Sequence, residues 1–454
     1  MTSQTTADDG KSINYRWVIC GLLFFATTFN YLDRQVISYL KQFFCTPVEQ
    51  GGFGWTNTDF SYLTSFFTGF YAVMTLVMGW VIDKIGTKLG LALSLIVWSL
   101  CGAANAFVGQ AVTMHLAIRS AFAVGEAGNF PASIKTVAEW FPKRERALAT
   151  GIFNSGSNFG AMVAALFVPW CMIYFGDQLG WKLAFIFTGA SGFLWLIFWF
   201  WLYDTPHKQR RVTKAELDYI HIDDEFAVST ADGDKGAVSW WRLFGYRQAW
   251  AFVFGKFMTD GIWWFYLFWL PDYLIKQFHM TKTQIIMPTF IVYGVAIIGS
   301  VYGGSIPMTL IKKGMQVYQA RMTAMFLIAM APLTVLSTQY FGNVDHFGKM
   351  AAVLAVATIC IGTAAHQAWS ANLFTTVSDM FPKKAVGSVT GIGTTAGGIG
   401  GVIIQLLAGR LTDAFKQTPQ IAYLIMFTIC ALSYLIAWSI MKILVPRHKP
   451  ITDL

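Results

Sequence analysis

Charge is what this chain has least of. Only 13% of its 454 residues are Asp, Glu, Lys or Arg, where a water-soluble domain carries roughly a quarter. Such a chain cannot clothe a surface in water. With 55% of its residues hydrophobic, lipid is the solvent that accounts for the deficit. Cysteine is sparse and scattered: Cys20, Cys45, Cys101, Cys171, Cys360 and Cys430 show no CxxC spacing, and the histidines form no cluster. Neither a disulfide framework nor a metal site is indicated, and no cofactor is expected. No nucleophile–base constellation is present either, so the chain is not expected to be an enzyme. The first apolar run is too long for a signal h-region followed by a small-residue cleavage site, and reads as a first membrane helix. The formal charge of +9 would suggest nucleic acid on a soluble protein. Its distribution excludes that partner here.

What is present are apolar runs of about 20 residues, the length that spans a bilayer. They fall near 17–38, 59–82, 89–109, 111–134, 147–174 and 182–203, then near 247–275, 284–310, 316–338, 347–375, 385–411 and 419–444. Placing the N-terminus inside puts 23 of the 33 Lys and Arg on the cytoplasmic side and 7 outside, with Arg34, Arg119 and Lys256 within spans. That asymmetry predicts an even number of crossings with both termini cytoplasmic. The expected fold is an all-α membrane protein of 12 transmembrane helices in two six-helix bundles, 1–203 and 247–454. A cytoplasmic linker, 204–246, joins them and contains the polar amphipathic stretch Thr213–Glu225.

An internal repeat supports two related halves. Glu139-Trp-Phe-Pro-Lys-Arg-Glu-Arg-Ala-Leu-Ala-Thr-Gly-Ile152 recurs as Asp379-Met-Phe-Pro-Lys-Lys-Ala-Val-Gly-Ser-Val-Thr-Gly-Ile392, each between the fourth and fifth span of its half. A parallel duplication is the reading.

Gly79-Trp-Val-Ile-Asp-Lys-Ile-Gly-Thr-Lys88 follows the second span and resembles the signature of the major facilitator superfamily. Its second-half counterpart, Gly304 to Gly314, lacks the acid. Asn30-Tyr-Leu-Asp-Arg34 and Arg119-Ser-Ala-Phe-Ala-Val-Gly-Glu-Ala-Gly-Asn-Phe-Pro131 look like the anion:cation symporter branch. Gly255 to Pro271 and Ala365-His-Gln-Ala-Trp-Ser370 resemble its hexuronate-transporter group. The resemblance runs from about residue 14 to 445.

Ionisable residues inside spans are expensive, at about 2.5–3.5 kcal/mol each near a helix centre. Those noted are Asp33, Arg34, Arg119, Glu126, Lys256 and Asp260. They are expected to face a central cavity. Arg119 and Glu126, seven apart, share one face of the fourth helix, and Lys256 and Asp260 share one face of the seventh. Two guanidiniums at one cavity suit a carboxylate, which each grips bidentately. The competing reading is permanent ion pairs that hold helices together, an even alternative for Lys256–Asp260. The resemblance implies proton uptake at Asp33 and Glu126 and substrate contacts from Arg34, Arg119, Tyr71, Asn154, Ser157, Lys256, Trp264, His366, Gln367, Ser370, Asn372 and Thr394, with Asp83 and Asp260 in gating. The glycines between 391 and 401 are read mainly as sites of close helix approach.

The function expected is a proton-coupled symporter importing a sugar acid, a hexuronate such as glucuronate or galacturonate, by alternating access in the cell inner membrane, as a monomer whose partners are substrate, protons and lipid. An aldonate such as galactonate, or a dicarboxylate, is the alternative cargo. A non-transporting membrane sensor is the alternative class. Its marks are loss of the intramembrane acids or a large appended domain, and neither is seen.

Overall fold

The computed structural model describes residues 14–221, 240–381, 383–447, 449 and 451. Among these every regular element is helical. Leaving aside turns of three or four residues, in chain order they are α1 (Tyr15–Cys45), α2 (Asn57–Ile85), α3 (Thr87–Ala104), α4 (Val112–Glu126), α5 (Asn129–Trp140), α6 (Lys143–Tyr174), α7 (Asp177–Leu202) and the short linker helix α8 (Lys214–Ile220). The second half supplies α9 (Arg247–Phe278), α10 (Ile286–Lys312), α11 (Val317–Met330), α12 (Met350–Met380), α13 (Lys383–Ala414) and α14 (Pro419–Leu444). The expected fourth span is split between α4 and α5. Gly125 and Gly128 press against α3 there: a Cβ on Gly128 would overlap Ser94, and one on Gly125 would stand 2.6 Å from the Trp98 backbone. The ninth span passes from α11 into a 3₁₀ stretch, Ala331–Ser337, where Pro332 withholds an N–H. Most of the amphipathic stretch Thr213–Glu225 is seen as α8; residues 222–239 of the linker lie outside the described residues.

Nine described helical segments are long and apolar enough to cross a membrane. The other three rods are α1, α4 with α5, and α9. They carry Asp33 and Arg34, Arg119 and Glu126, and Lys256 and Asp260. α4 and α5 are each shorter than a bilayer span, and all three rods carry charged side chains, which lower hydropathy.

The helix pairings repeat between halves. α1 packs on α6 as α9 packs on α13, α2 on α4 as α10 on α12, and α1 on α7 as α9 on α14. The most extensive contacts that join the halves form another such pair, α2 with α13 and α6 with α10, and α1 also meets α9. Small residues allow these seams to close. A Cβ on Gly160 would overlap the Thr28 carbonyl across α1–α6. One on Gly398 would overlap Ala72, and one on Gly401 would stand 2.8 Å from Thr68 Cγ2 across α2–α13.

Two ends can be told apart. At the near end, Arg16 pairs with Glu145 at 2.9 Å and Glu216 at 3.2 Å, Lys88 with Asp204 at 3.1 Å, and Gln248 bonds to the Lys449 carbonyl. These bonds gather the beginning of the chain, the linker and the end of the chain. At the far end, Trp55 bonds to the Gln110 carbonyl, Gln178 to that of Gly51, and Gln277 to that of Gly342.

Candidate substrate and proton site

Arg34 sits on α1 two-thirds of the way to the far end, where it is fully buried. Its Nε donates to Glu126 Oε2 at 2.9 Å and its Nη2 to Asn30 Oδ1 at 3.3 Å, while Nη1 has no hydrogen-bond partner. Four aromatic rings surround the guanidinium carbon: Tyr31 at 4.3 Å, Tyr71 at 4.7 Å, and Phe67 and Trp264 at 5.2 Å. Ring faces attract a desolvated cation with roughly 0.5–2 kcal/mol each, so the cage and Glu126 together hold a charge that bare lipid would not. Trp264 is the contribution of the second bundle. The site therefore lies at the seam between the halves.

Arg119 on α4 lies beside it. Phe67 is 4.9 Å from its guanidinium carbon and 5.2 Å from that of Arg34, so the two carbons are at most about 10 Å apart. Phe122 covers Arg119 at 4.5 Å. The residue is 1% exposed, yet Nε, Nη1 and Nη2 all lack a hydrogen-bond partner. The second oxygen of Glu126, Oε1, is likewise unbonded.

Asp33 makes no contact with the Arg34 cage, although it lies within electrostatic reach of Glu126 and Arg119. Successive residues on a helix point about 100° apart, and Asp33 turns towards α3, where a Cβ on Gly102 would lie 3.7 Å from its Oδ1. Both its carboxylate oxygens are buried, with Thr188 and Trp98 beside them. Glu126 is thus the acid in contact with the Arg34 cage, and Asp33 stands behind α1.

In the second half, Lys256 Nζ lies 2.7 Å from Asp260 Oδ2, one turn along α9, and 4.5 Å from the Phe374 ring centre. Asp260 fits against α13 because position 397 is glycine; a Cβ there would overlap its carboxylate. His366 meets the Tyr434 hydroxyl at 2.9 Å and stacks on Trp263 at 5.1 Å. Gln367, Ser370 and Asn154 are half-buried. Three others are occupied locally. Ser157 donates to the Asn154 carbonyl and Thr394 to that of Thr390, both within their own helices. Asn372 gives its amide hydrogens to the Gly303 and Ala368 carbonyls, tying α12 to α10. The Asp83 side chain lies outside the described residues.

The sequence pattern of the Major Facilitator Superfamily matches residues 23–404. The chain belongs to the major facilitator superfamily. Among curated proteins it is similar to the hexuronate transporter of Escherichia coli K12, at 28% identity over 94% of each chain. It is 31% identical to the galacturonate transporter of Dickeya chrysanthemi over 64% of this chain and 81% of that one. With the D-galactonate transporter of Escherichia coli O6:H1 it shares 26% identity over 93% and 95%. Among solved structures, a bacterial homologue of the human lysosomal transporter Spinster, inward-facing and unoccupied, superposes with TM-score 0.70 at 17% identity over 94% of this chain and 98% of that one. A D-xylose-proton symporter superposes at 0.67 with 15% identity over 93% and 97%. These two share the fold. The chain is a multi-pass membrane transporter of this superfamily, not an enzyme.

Sequence reasoning about this facilitator missed a second charged group, at the far end. Lys41 on α1 lies 2.6 Å from Asp272 Oδ2 on α9. Asp272 also takes Lys276 at 3.0 Å and the Tyr423 hydroxyl. Asp272 lies within the expected seventh span and could have been counted with the other buried acids. Asp413, in the last turn of α13, accepts from the Asn57 and Thr58 backbone N–H at 3.0 and 2.6 Å and from Asn57 Nδ2 at 2.7 Å. Gln405 Oε1 accepts from Thr64 and Trp269. The hydrogen bonds and ion pairs seen between the halves gather in this far half of the molecule.

Proposed function

We propose that this transporter is a proton-coupled symporter that imports a hexuronate, such as glucuronate or galacturonate, by alternating access across the cell inner membrane. The observation that carries the reading is the buried pair of guanidiniums at the inter-bundle seam, one bound to Glu126 with an N–H to spare and the other without a hydrogen-bond partner. The sugar-acid names of its relatives favour the same cargo class. Excess Lys and Arg at the near end favour a cytoplasmic location for it and both termini. The bonds at the far end then describe a transporter shut to the outside. Bundles 1–203 and 247–454 rock about the seam, joined by 204–246.

The coupling follows from charge balance. Asp33, Glu126, Arg34 and Arg119 sum to zero when ionised. A carboxylate brought into this low-dielectric region adds one negative charge, and one proton restores neutrality. Glu126 is the acid placed to take it, because Glu126 competes with the substrate for Arg34. Protonated Glu126 releases Arg34 Nε, and the guanidinium can then grip the carboxylate through two parallel N–H donors. By linkage the bound carboxylate favours the proton as much as the proton favours the carboxylate. Asp33, close to the same charges, serves as a second proton site. Tyr71, Trp264, Asn154, Gln367, Ser370 and His366 offer rings and polar groups to the sugar. Ser157, Asn372 and Thr394 shape the helices that carry them. Lys256 with Asp260 is a gating pair on the second bundle, and Asp83 a near-end gate.

Purified protein in liposomes, given a panel of labelled hexuronates, aldonates and dicarboxylates with an inward proton gradient, tests cargo and coupling together. Accumulation of glucuronate or galacturonate that a protonophore abolishes is expected. Uptake indifferent to the proton gradient refutes the coupling, and selective uptake of galactonate or a diacid refutes the cargo.

A further inference from the structure

Lys41 belongs to the first bundle, where Phe60 lies 5.2 Å from its ammonium, and its carboxylate partner and nearest ring belong to the second. It is 1% exposed, 2.6 Å from Asp272 Oδ2, and its ammonium lies 3.8 Å from the Trp269 ring centre. The two sides of this contact are not equivalent when the bundles part. Asp272 keeps Lys276 at 3.0 Å, one turn along α9, and the Tyr423 hydroxyl from α14, both in its own bundle. Lys41 leaves behind both Asp272 and Trp269.

Lys41 also stands in register with the central site. It is seven residues from Arg34, two turns or about 10 Å along α1, and so on the same side of the helix. Ser38 occupies the rung between them. It is 1% exposed, and its hydroxyl has no hydrogen-bond partner. Arg34, Ser38 and Lys41 form a polar ladder running from the seam to the far end.

Resting on the reading of the chain as an importer of carboxylates, we propose that Lys41 is an entry site for the anionic cargo. When the far end opens, Lys41 exchanges the Asp272 carboxylate for that of the arriving substrate, then passes it past Ser38 to Arg34. A substrate held at Lys41 keeps Asp272 from returning, so the far end closes only after the handover. The entry site and the latch are one side chain with two alternative carboxylate partners.

Transport in oriented liposomes separates this from a latch with no contact to cargo. The panel is run first, and the variants are measured with whichever carboxylate the wild type accumulates. A wrong cargo then shows in the panel and a wrong Lys41 assignment in the variants. Lys41→Gln should raise the external half-saturation concentration roughly tenfold, the loss of one charge-assisted contact, and leave the internal value for efflux unchanged. Lys41→Arg should stay close to wild type. Asp272→Asn should leave the external value at or below wild type, because it frees Lys41. Lys41→Gln and Asp272→Asn moving together, or an unchanged external value in Lys41→Gln, would overturn the proposal. In wild type, external substrate should protect Lys41 from an impermeant amine reagent more than it protects Lys276, and its uncharged methyl ester should not. Equal labelling with and without substrate also overturns it.

Discussion

Asp413 offers a measurement of what holds the far end shut. It sits at the C-terminal end of α13 and accepts from the Asn57 and Thr58 N–H groups and from the Asn57 amide. Those backbone donors belong to the first turn of α2, which has no intrahelical acceptors for them. Thr56 caps the Asp59 N–H within the same turn, so Asp413 supplies from the other bundle what the local cap leaves undone. Each bond is worth about 0.5–1.5 kcal/mol net of water, and a carboxylate at a helix N-terminus adds about 0.3–1 kcal/mol. Asp413 is half-buried, so the low part of each range applies. The sum is about 2–3 kcal/mol. All of it crosses between the bundles, and all of it is lost when they separate. Asp413→Ala should therefore raise the ratio of far-open to far-closed protein by roughly 30- to 150-fold, and Asp413→Asn, which keeps an oxygen without its charge, by about the square root of that. Spin labels at Glu49 and His346, exposed on opposite bundles at the far end, would report the separation by pulsed distance measurement. A distribution unchanged in Asp413→Ala would refute the claim that this cap holds the closed state.

Glu126→Gln should keep substrate exchange but lose accumulation against a gradient; undiminished pH-driven uptake would remove Glu126 from the coupling. Arg34→Lys discards the planar fork and the Nε bond to Glu126, and should weaken carboxylate binding by roughly two orders of magnitude in equilibrium binding to detergent-solubilised protein; near-normal affinity would place the anion site elsewhere. Lys256→Ala and Asp260→Ala should each lower thermal stability by leaving a buried charge alone. The double variant should recover most of the loss if the pair is structural, and a double variant as unstable as the singles would show that one of the two has another partner.

Much of this was legible in the sequence because a bilayer leaves few options. It forces apolar runs of one length, which located the helices, and penalises charge, which located Arg34, Arg119 and Glu126. The glycines of 397–401 were legible as packing sites, and their backbones do lie against Asp260, Ala72, Phe257 and Trp264. Spacing along a single helix could not say which residue of another helix answers it. Asp33 was expected at the same cavity as Arg34, though neighbours on a helix diverge. Phe67, which touches both guanidiniums, is one of 39 phenylalanines. Nothing in the sequence distinguishes it from those that only pack. Asp272 was passed over at the edge of an apolar run, and with it the far-end network.

The buried charges argue against a purely structural purpose. A buried ion pair is often no more stable than an apolar pair of the same volume, and in lipid the apolar alternative is favoured further by the cost of inserting charge. Asp33, Arg34, Arg119, Glu126, Lys256 and Asp260 sit within α1, α4 and α9, and each costs the chain membrane-insertion energy. Arg34–Glu126 alone could be explained as a fastening between α1 and α4, helices of one bundle. Arg119 is harder to explain so, because it lies within electrostatic reach of Glu126 and Asp33 yet none of its three guanidinium nitrogens makes a hydrogen bond. Two aromatic faces lessen its penalty without removing it. A cation kept in that condition at the seam between the two halves makes physical sense if its acceptor comes and goes, and a travelling carboxylate is such an acceptor.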